Sequence, residues 1–180
     1  MDATGQDAET SAGWQDALFE CLSRAEIRQL PYVHDNGHAN IIERAHADPR
    51  MLAYPLTTEE EGVAAVCGAW LGGHRAVLLM QSSGVGNCIN MLGLIGNCRF
   101  PFLTIATMRG EWGEFNPWQV PMGRAAGAAM ELMGVSVRRV EEPGQVGPVV
   151  DTALHDAFLT DQAVAVLLSQ TLIGRKDWTQ

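Results

Sequence analysis

Ala76-Val77-Leu78-Leu79-Met80-Gln81-Ser82-Ser83-Gly84-Val85-Gly86-Asn87 is the stretch that decides the fold. Five apolar residues stand in a row without polar alternation, the mark of a short strand covered on both faces. A Gly/Ser loop over Gln81–Asn87 follows at once, then a helix over Cys88–Ile95. Phe102–Thr107 (FLTIAT) and Ala163–Leu168 (AVAVLL) repeat the same buried-strand character. Shorter strands are expected at Pro31–Val33, Met51–Leu56 and Val135–Val140. Helical spacing covers Trp14–Leu30 and Ala39–Ala47, the latter stopped by Asp48-Pro49. It also covers Thr58–Leu71, ended by Gly72-Gly73, then Pro121–Met133 and Val146–Leu159. Arg109–Trp118 reads as a polar, aromatic loop. About six strands thus alternate with helices. The pattern predicts a single doubly wound α/β domain with a mostly parallel six-stranded sheet and helices on both faces.

In such sheets ligands bind at the C-terminal ends of the strands. Here those ends carry His34-Asp35-Asn36, Thr57–Glu61, Gln81–Asn87 and Met108–Trp118, the polar and glycine-rich parts of the chain.

Composition agrees with one globular domain. The chain has 180 residues, 47% hydrophobic and 18% charged. That excludes collagen, low-complexity disorder and a disulfide scaffold. Twenty-one acidic against 12 basic residues leave a net charge of -9, and Lys176 is the only lysine. Arg138-Arg139 and Arg175-Lys176 are the only adjacent basic pairs, so a nucleic-acid partner is not expected. Residues 1–12 are polar and acidic and are expected to be a disordered leader, not a signal peptide. The domain is expected over 13–175 and a tail over 176–180. No apolar run approaches the roughly 18 residues of a membrane span. Cys21, Cys67, Cys88 and Cys98 lack C-x-x-C spacing and read as reduced, mostly buried thiols of a cytoplasmic protein. The five histidines do not combine with them at ligand spacing, and a metal site in this chain is not expected.

Three constellations carry chemistry. Ser83-Gly84-Val85-Gly86-Asn87 departs from the dinucleotide fingerprint because Ile89 stands in the third glycine's place. It also lacks the Gly-Lys-Ser/Thr of a P-loop and the Gly-x-Ser-x-Gly of a nucleophile elbow. It remains a turn that either supplies unusual φ or brings backbone close to a ligand. In Thr57-Thr58-Glu59-Glu60-Glu61, Thr58 and Glu61 suggest a capping box. A projection at about 100° per residue puts Glu59 on the stripe of Val63, Val66, Cys67 and Trp70, with Glu60 at its edge. Glu59 is therefore the inward carboxylate. Arg109, in the Met108-Arg109-Gly110-Glu111 that follows FLTIAT, is a candidate anion clamp, and pairing with Glu111 or Glu114 is the competing reading. Trp112, Phe115 and Trp118 are read as a lid or a subunit contact.

Taken together, several stretches resemble the pyrimidine-binding domain of thiamine diphosphate enzymes. They are Thr58–Val63, Cys67–Leu71, Met80–Asn90, Arg109–Glu111 and Gln119–Gly123. They are similar to the sulfopyruvate decarboxylase α subunit and to the matching half of phosphonopyruvate decarboxylase. In that family a helix glutamate nine residues before a glycine hydrogen-bonds N1′ of the cofactor's aminopyrimidine. Nine before Gly68 is Glu59, the residue the projection selects, or its neighbour Glu60 by a slip of one. The resemblance implies that Glu59 promotes the imino tautomer of the cofactor. It implies that Ser83, Gly84 and Asn87 line the cofactor site. It implies that Asp35, with Asn36 and Gln119, faces the substrate, and that Arg109 meets the second anion of a 3-substituted pyruvate. The family holds the diphosphate and Mg²⁺ through a Gly-Asp-Gly motif in another domain, and this chain has none. The resemblance therefore implies a separately encoded diphosphate-binding β subunit carrying Mg²⁺, in an assembly of α₂β₂ or larger. The same scaffold also suits another 2-oxo acid with carboligation or acyl transfer, or a binding module without chemistry.

Overall fold

The computed structural model describes residues 4–174 of the chain, with side chains from residue 13 onward. The elements are α1 (Thr4–Arg24), β1 (Ile27–Tyr32), α2 (Ala39–Ala47), β2 (Leu52–Pro55), α3 (Glu59–Leu71), β3 (Arg75–Ala76) and β4 (Leu78–Gln81). Then follow α4 (Ser82–Cys98), β5 (Phe102–Thr107), α5 (Val120–Leu132), β6 (Ser136–Val140), α6 (Val146–Leu159), β7 (Ala163–Leu168) and α7 (Gln170–Ile173). Three 3₁₀ turns, Asn36–His38, Pro117–Gln119 and Pro143–Gln145, lead into α2, α5 and α6.

Every strand pairing is parallel, in the order β2-β1-β4-β5-β7-β6, with the two-residue β3 added beside β1. The expected doubly wound class holds, with a seventh short strand. Strand residues alternate between two cores, as period 2 requires. Leu103 and Ile105 of β5, with Val164 and Val166 of β7, meet Trp14, Leu18, Ile41 and Val150 from α1, α2 and α6. Phe102 and Ala106, with Ala165 and Leu167, meet Val63, Val66, Leu92, Ala126 and Met130 from α3, α4 and α5. Coverage on both faces explains why these strands read as continuous apolar runs.

Three boundaries differ from expectation. The first helix stops at Arg24, not Leu30, because Glu26 turns the chain through a left-handed φ of 55°. Ile27 and Leu30 then enter the sheet, so what resembled helical spacing is partly a strand. The helix starts at Thr4, within the stretch read as a leader, where Ala8, Glu9 and Ala12 favour helix. Residues 1–3 and the tail expected over 176–180 lie outside the described residues. Gln81–Asn87 is not a loop. Ser82 already opens α4, and tertiary packing outweighs the weak helical preference of Gly84 and Gly86.

Cys21, Cys67 and Cys88 are buried and Cys98 exposed, all as free thiols. Burial pushes Cys21 and Cys67 up to about 11 and Cys88 to about 12. Among the described residues no helix is long and apolar enough to cross a membrane.

Candidate active site

Parallel register brings the C-terminal ends of β4, β5 and β7 into line, with Gln81 opposite Thr107 and Thr107 opposite Leu168. β1 delivers the loop His34–His38 beside them, and α3 and α4 begin at the same edge.

Glu59 is the first residue of α3 and only 8% exposed. Its Oε2 accepts from Asn87 Nδ2 at 2.7 Å. Its other oxygen lies against the bare Cα of Gly84. A Cβ there would come within 2.3 Å of Glu59 Oε1 and 2.4 Å of its Cγ and Cδ. Gly84 is thus required by the close approach of α3's side chain to α4, not by backbone twist. The three glutamates divide their tasks. Glu61 Oε2 accepts from Thr57 N at 3.0 Å, one residue earlier than a capping box from Thr58 would place it, and Thr58 makes no side-chain cap bond. Glu60 is half-buried, and the Thr58 hydroxyl holds its carboxyl below the usual range. Of the three only Glu59 is buried as a whole residue, while Glu60 Oε2 is a buried acceptor with no hydrogen-bond partner among the described residues.

Asp35 closes the loop after β1. Its Oδ2 accepts from Gly37 N at 3.0 Å and from Thr107 Oγ1 at 2.6 Å. Its Oδ1 accepts from Gln81 Nε2 at 2.9 Å, and Gln81 Oε1 in turn accepts from Ser83 Oγ at 2.9 Å. Asn36 is exposed. A groove of about 370 Å³ opens beside Asp35, bounded by Tyr32, His34, Ile42 and His46.

Arg109 is 8% exposed and clamps not an anion from outside but Glu114. Its Nε and Nη2 reach the two carboxylate oxygens at 2.7 and 2.6 Å. The guanidinium holds the Glu114 carboxyl down to about 2. The competing reading, pairing with Glu114, describes this geometry. Arg109 N also donates to Ser82 Oγ at 3.0 Å, which ties the loop to the start of α4. Gln119 is half-buried at the far end of that loop, and its Oε1 is a buried acceptor with no partner among the described residues. Gly110 packs so closely on the Gln119 carbonyl that a Cβ would stand 2.4 Å from its oxygen.

The first two turns of α4 thus gather several of the expected residues. Gly84 and Asn87 meet Glu59, Ser83 reaches Asp35 through Gln81, and Ser82 holds Arg109. Sequence reasoning missed Gln81 and Thr107 as site residues. A polar residue closing a fully apolar strand, as Thr107 closes FLTIAT, is the signal that could have found one of them.

No family model matches the chain. It is 38% identical over 129 residues to the sulfopyruvate decarboxylase subunit alpha of Methanothermobacter thermautotrophicus, covering 71% of this chain and 78% of that one. It is 35% identical over 154 residues to the same subunit of Methanococcus maripaludis, covering 85% and 92%. Over 125 residues it is 34% identical to phosphonopyruvate decarboxylase of Streptomyces viridochromogenes, covering 68% of this chain but 30% of that one. Among solved structures, 2-oxoglutarate:ferredoxin oxidoreductase from Magnetococcus marinus superposes with a TM-score of 0.69 at 14% identity. The match spans 91% of this chain and 31% of that one, and it establishes a shared fold.

Proposed function

The chain belongs to the family of sulfopyruvate decarboxylase α subunits, and on that footing we propose that it is the pyrimidine-binding half of a thiamine diphosphate-dependent 2-oxo acid decarboxylase. Its substrate class is an anionic 3-substituted pyruvate such as sulfopyruvate or phosphonopyruvate. It works in the cytoplasm with a separately encoded β subunit, in an α₂β₂ or larger assembly. The β subunit carries the diphosphate and Mg²⁺, for which this chain has no Gly-Asp-Gly.

The observation that carries the reading is the buried Glu59 carboxylate against the bare face of Gly84. The space a Cβ would take at Gly84 is filled by the Glu59 carboxyl itself, and Asn87 fixes its other oxygen. The donor set suits a neutral nitrogen heterocycle that shares a proton with a carboxylate. Thiamine diphosphate, when bound, supplies the carbon nucleophile that adds to the 2-oxo acid and the ring that takes up the electron pair left by CO₂. Glu59 shares a proton at N1′ of the pyrimidine and thereby sets its tautomer. Ser83, Gly84 and Asn87 shape the wall against which the ring rests. Asp35, with Asn36 and Gln119, orients the substrate. The loop Arg109–Gln119 borders the site and keeps water out of it.

Arg109 bears on the substrate class. Its fork is engaged by Glu114, which favours a second reading, a 2-oxo acid without a second strong anion, with carboligation or transfer in place of protonation. Arg109→Ala separates the two. A KM increase confined to sulfopyruvate and phosphonopyruvate, with pyruvate unchanged, supports the anionic class.

The direct test co-expresses the chain with a subunit bearing Gly-Asp-Gly, adds thiamine diphosphate and Mg²⁺, and measures CO₂ released from each acid. Activity is expected only in the mixture, and Glu59→Gln should lower kcat by about 100-fold or more without dissolving the complex. Full turnover by Glu59→Gln would assign the cofactor carboxylate to another glutamate, with Glu60 as the neighbour at hand, and the absence of turnover in any mixture would leave the fold with a binding role only.

A further inference from the structure

Asp35 receives more hydrogen bonds than its turn requires. Gly37 N alone satisfies the 3₁₀ turn that Asp35 caps. The other two donors come from distant strand ends, Gln81 from β4 and Thr107 from β5. The two residues are register partners, so their donors straddle the carboxylate from adjacent strands. The Asp35 carboxylate, which only accepts, fixes the Gln81 amide with Nε2 toward it, and Gln81 Oε1 then accepts from the Ser83 hydroxyl. The loop is pressed onto the same strands at its other end. His38 is fully buried, and its Nε2 lies 3.2 Å from the Met80 carbonyl and 3.1 Å from that of Ile105, so it must be the donor there. Between these anchors Gly37 has no room for a side chain, because a Cβ would sit 2.6 Å from Thr107 Cγ2.

We infer that Gln81 and Thr107 are positioning residues that hold the Asp35 carboxylate toward the substrate, with Ser83 supporting the Gln81 amide from its other side. The inference rests on the reading of Asp35 as the substrate-facing acid. An orienting group must be held to a fraction of an ångström, and a lone loop carboxylate on a 3₁₀ turn is not.

A double-mutant cycle on the assembled enzyme tests it, with thiamine diphosphate, Mg²⁺ and sulfopyruvate. Thr107→Val and Gln81→Ala should each lower kcat/KM by about 10- to 100-fold, mainly through kcat. Thr107→Ser, which keeps the hydroxyl, should recover activity to within about 3-fold of the parent. In an Asp35→Asn background, Thr107→Val should cost nothing further. The dissociation constant for thiamine diphosphate should stay within about 2-fold for Thr107→Val and Asp35→Asn, since neither side chain is bonded to Glu59, Ser83 or Asn87. Equal damage from Thr107→Val with and without Asp35 overturns the inference, and so does normal turnover by both variants when Asp35→Asn is crippled. Normal turnover by Asp35→Asn itself instead overturns the reading of Asp35. One readout needs no turnover. In the ¹⁵N-labelled chain within the complex, the Gln81 side-chain amide pair should shift on Asp35→Asn, and a pair that stays in place overturns the inference whatever the activity.

Discussion

A single methyl group separates the packing of Glu59 from its chemistry. At Gly84 the added Cβ meets Glu59 Oε1, Cδ and Cγ at 2.3–2.4 Å, the flexible end of a side chain and not backbone. The fold can therefore absorb Gly84→Ala by moving the carboxylate. The melting temperature should change little, while kcat/KM of the assembled enzyme falls by about 100-fold. Thermal scans and CO₂ release on one preparation check both halves. His38 makes a second residue-scale prediction. Burial lowers its pKa below the ordinary 6.5, so the native ring stays neutral where the unfolded chain takes a proton. Its stabilising share is complete above pH 6.5 and is lost progressively as pH falls below that value. His38→Gln keeps a donor without the titrating ring, so its urea midpoint should fall less between pH 7.5 and about 5 than that of the parent. Legibility at this scale follows chain distance. Glu59 could be found because one helical period joins it to Val63 and Val66. Gln81 and Thr107 lie 46 and 72 residues from Asp35, and only the sheet register brings the three together.

The loop Arg109–Gln119 behaves as an element although it has little regular structure. Glu114 is its hub, accepting from Arg109 Nε and Nη2 and from the backbone N–H groups of Gly110 and Asn116. It also accepts from Gln170 Nε2 of α7. Gln170 Oε1 in turn accepts from Glu111 N and Trp112 N, and Arg139 pairs with both oxygens of Glu111. The depressed Glu114 pKa sets the pH window. The native group ionises at about 2 against an ordinary 4.5, so the anchor is fully present above pH 4.5 and is lost as pH falls toward 2. Tryptophan fluorescence should report loop release across that window, and Glu114→Gln should already show the released signal at neutral pH. Gly110→Ala attacks the same element from the backbone. At φ 76°, with the Gln119 carbonyl 2.4 Å from the new Cβ, nothing flexible can give way. A stability loss of about 1–3 kcal/mol is expected, read as a lowered denaturant midpoint. Apolar runs such as FLTIAT and AVAVLL made the strands visible in the sequence because both of their faces are covered. The start of α4 was hidden because Gly84 and Gly86 signal a turn locally, while α3 and α5 make a helix of it. Gly86 lies against Met122 of α5, where a Cβ would meet Sδ at an ordinary 3.5 Å.

On the scale of the molecule, the polar network described above spends many hydrogen bonds to hold a loop that presents apolar rings to water. Trp118 is 84% exposed and Trp112 52%. Neither ring contributes much to the chain's own core, which the two covered faces of the sheet already supply. Rigid, exposed aromatic side chains lose little entropy on association and are the residue type that dominates interface energies. The loop also adjoins the candidate site, because Arg109 N is bound to Ser82 and Gly123 of α5 packs against the Arg109 carbonyl. On the proposed function, a partner that completes a cofactor site at this strand edge approaches across the loop. Trp118→Ala should therefore leave the melting temperature of the isolated chain unchanged and weaken its association with the diphosphate-binding subunit by about 2 kcal/mol, roughly 30-fold in Kd. Titration calorimetry between the two purified subunits measures the difference. Leu132 on α5 is 87% exposed and serves as the control for bare hydrophobicity, since no polar network presents it. If Leu132→Ala weakens assembly as much as Trp118→Ala does, the contact lies along α5, and the anchored loop serves only to wall the site.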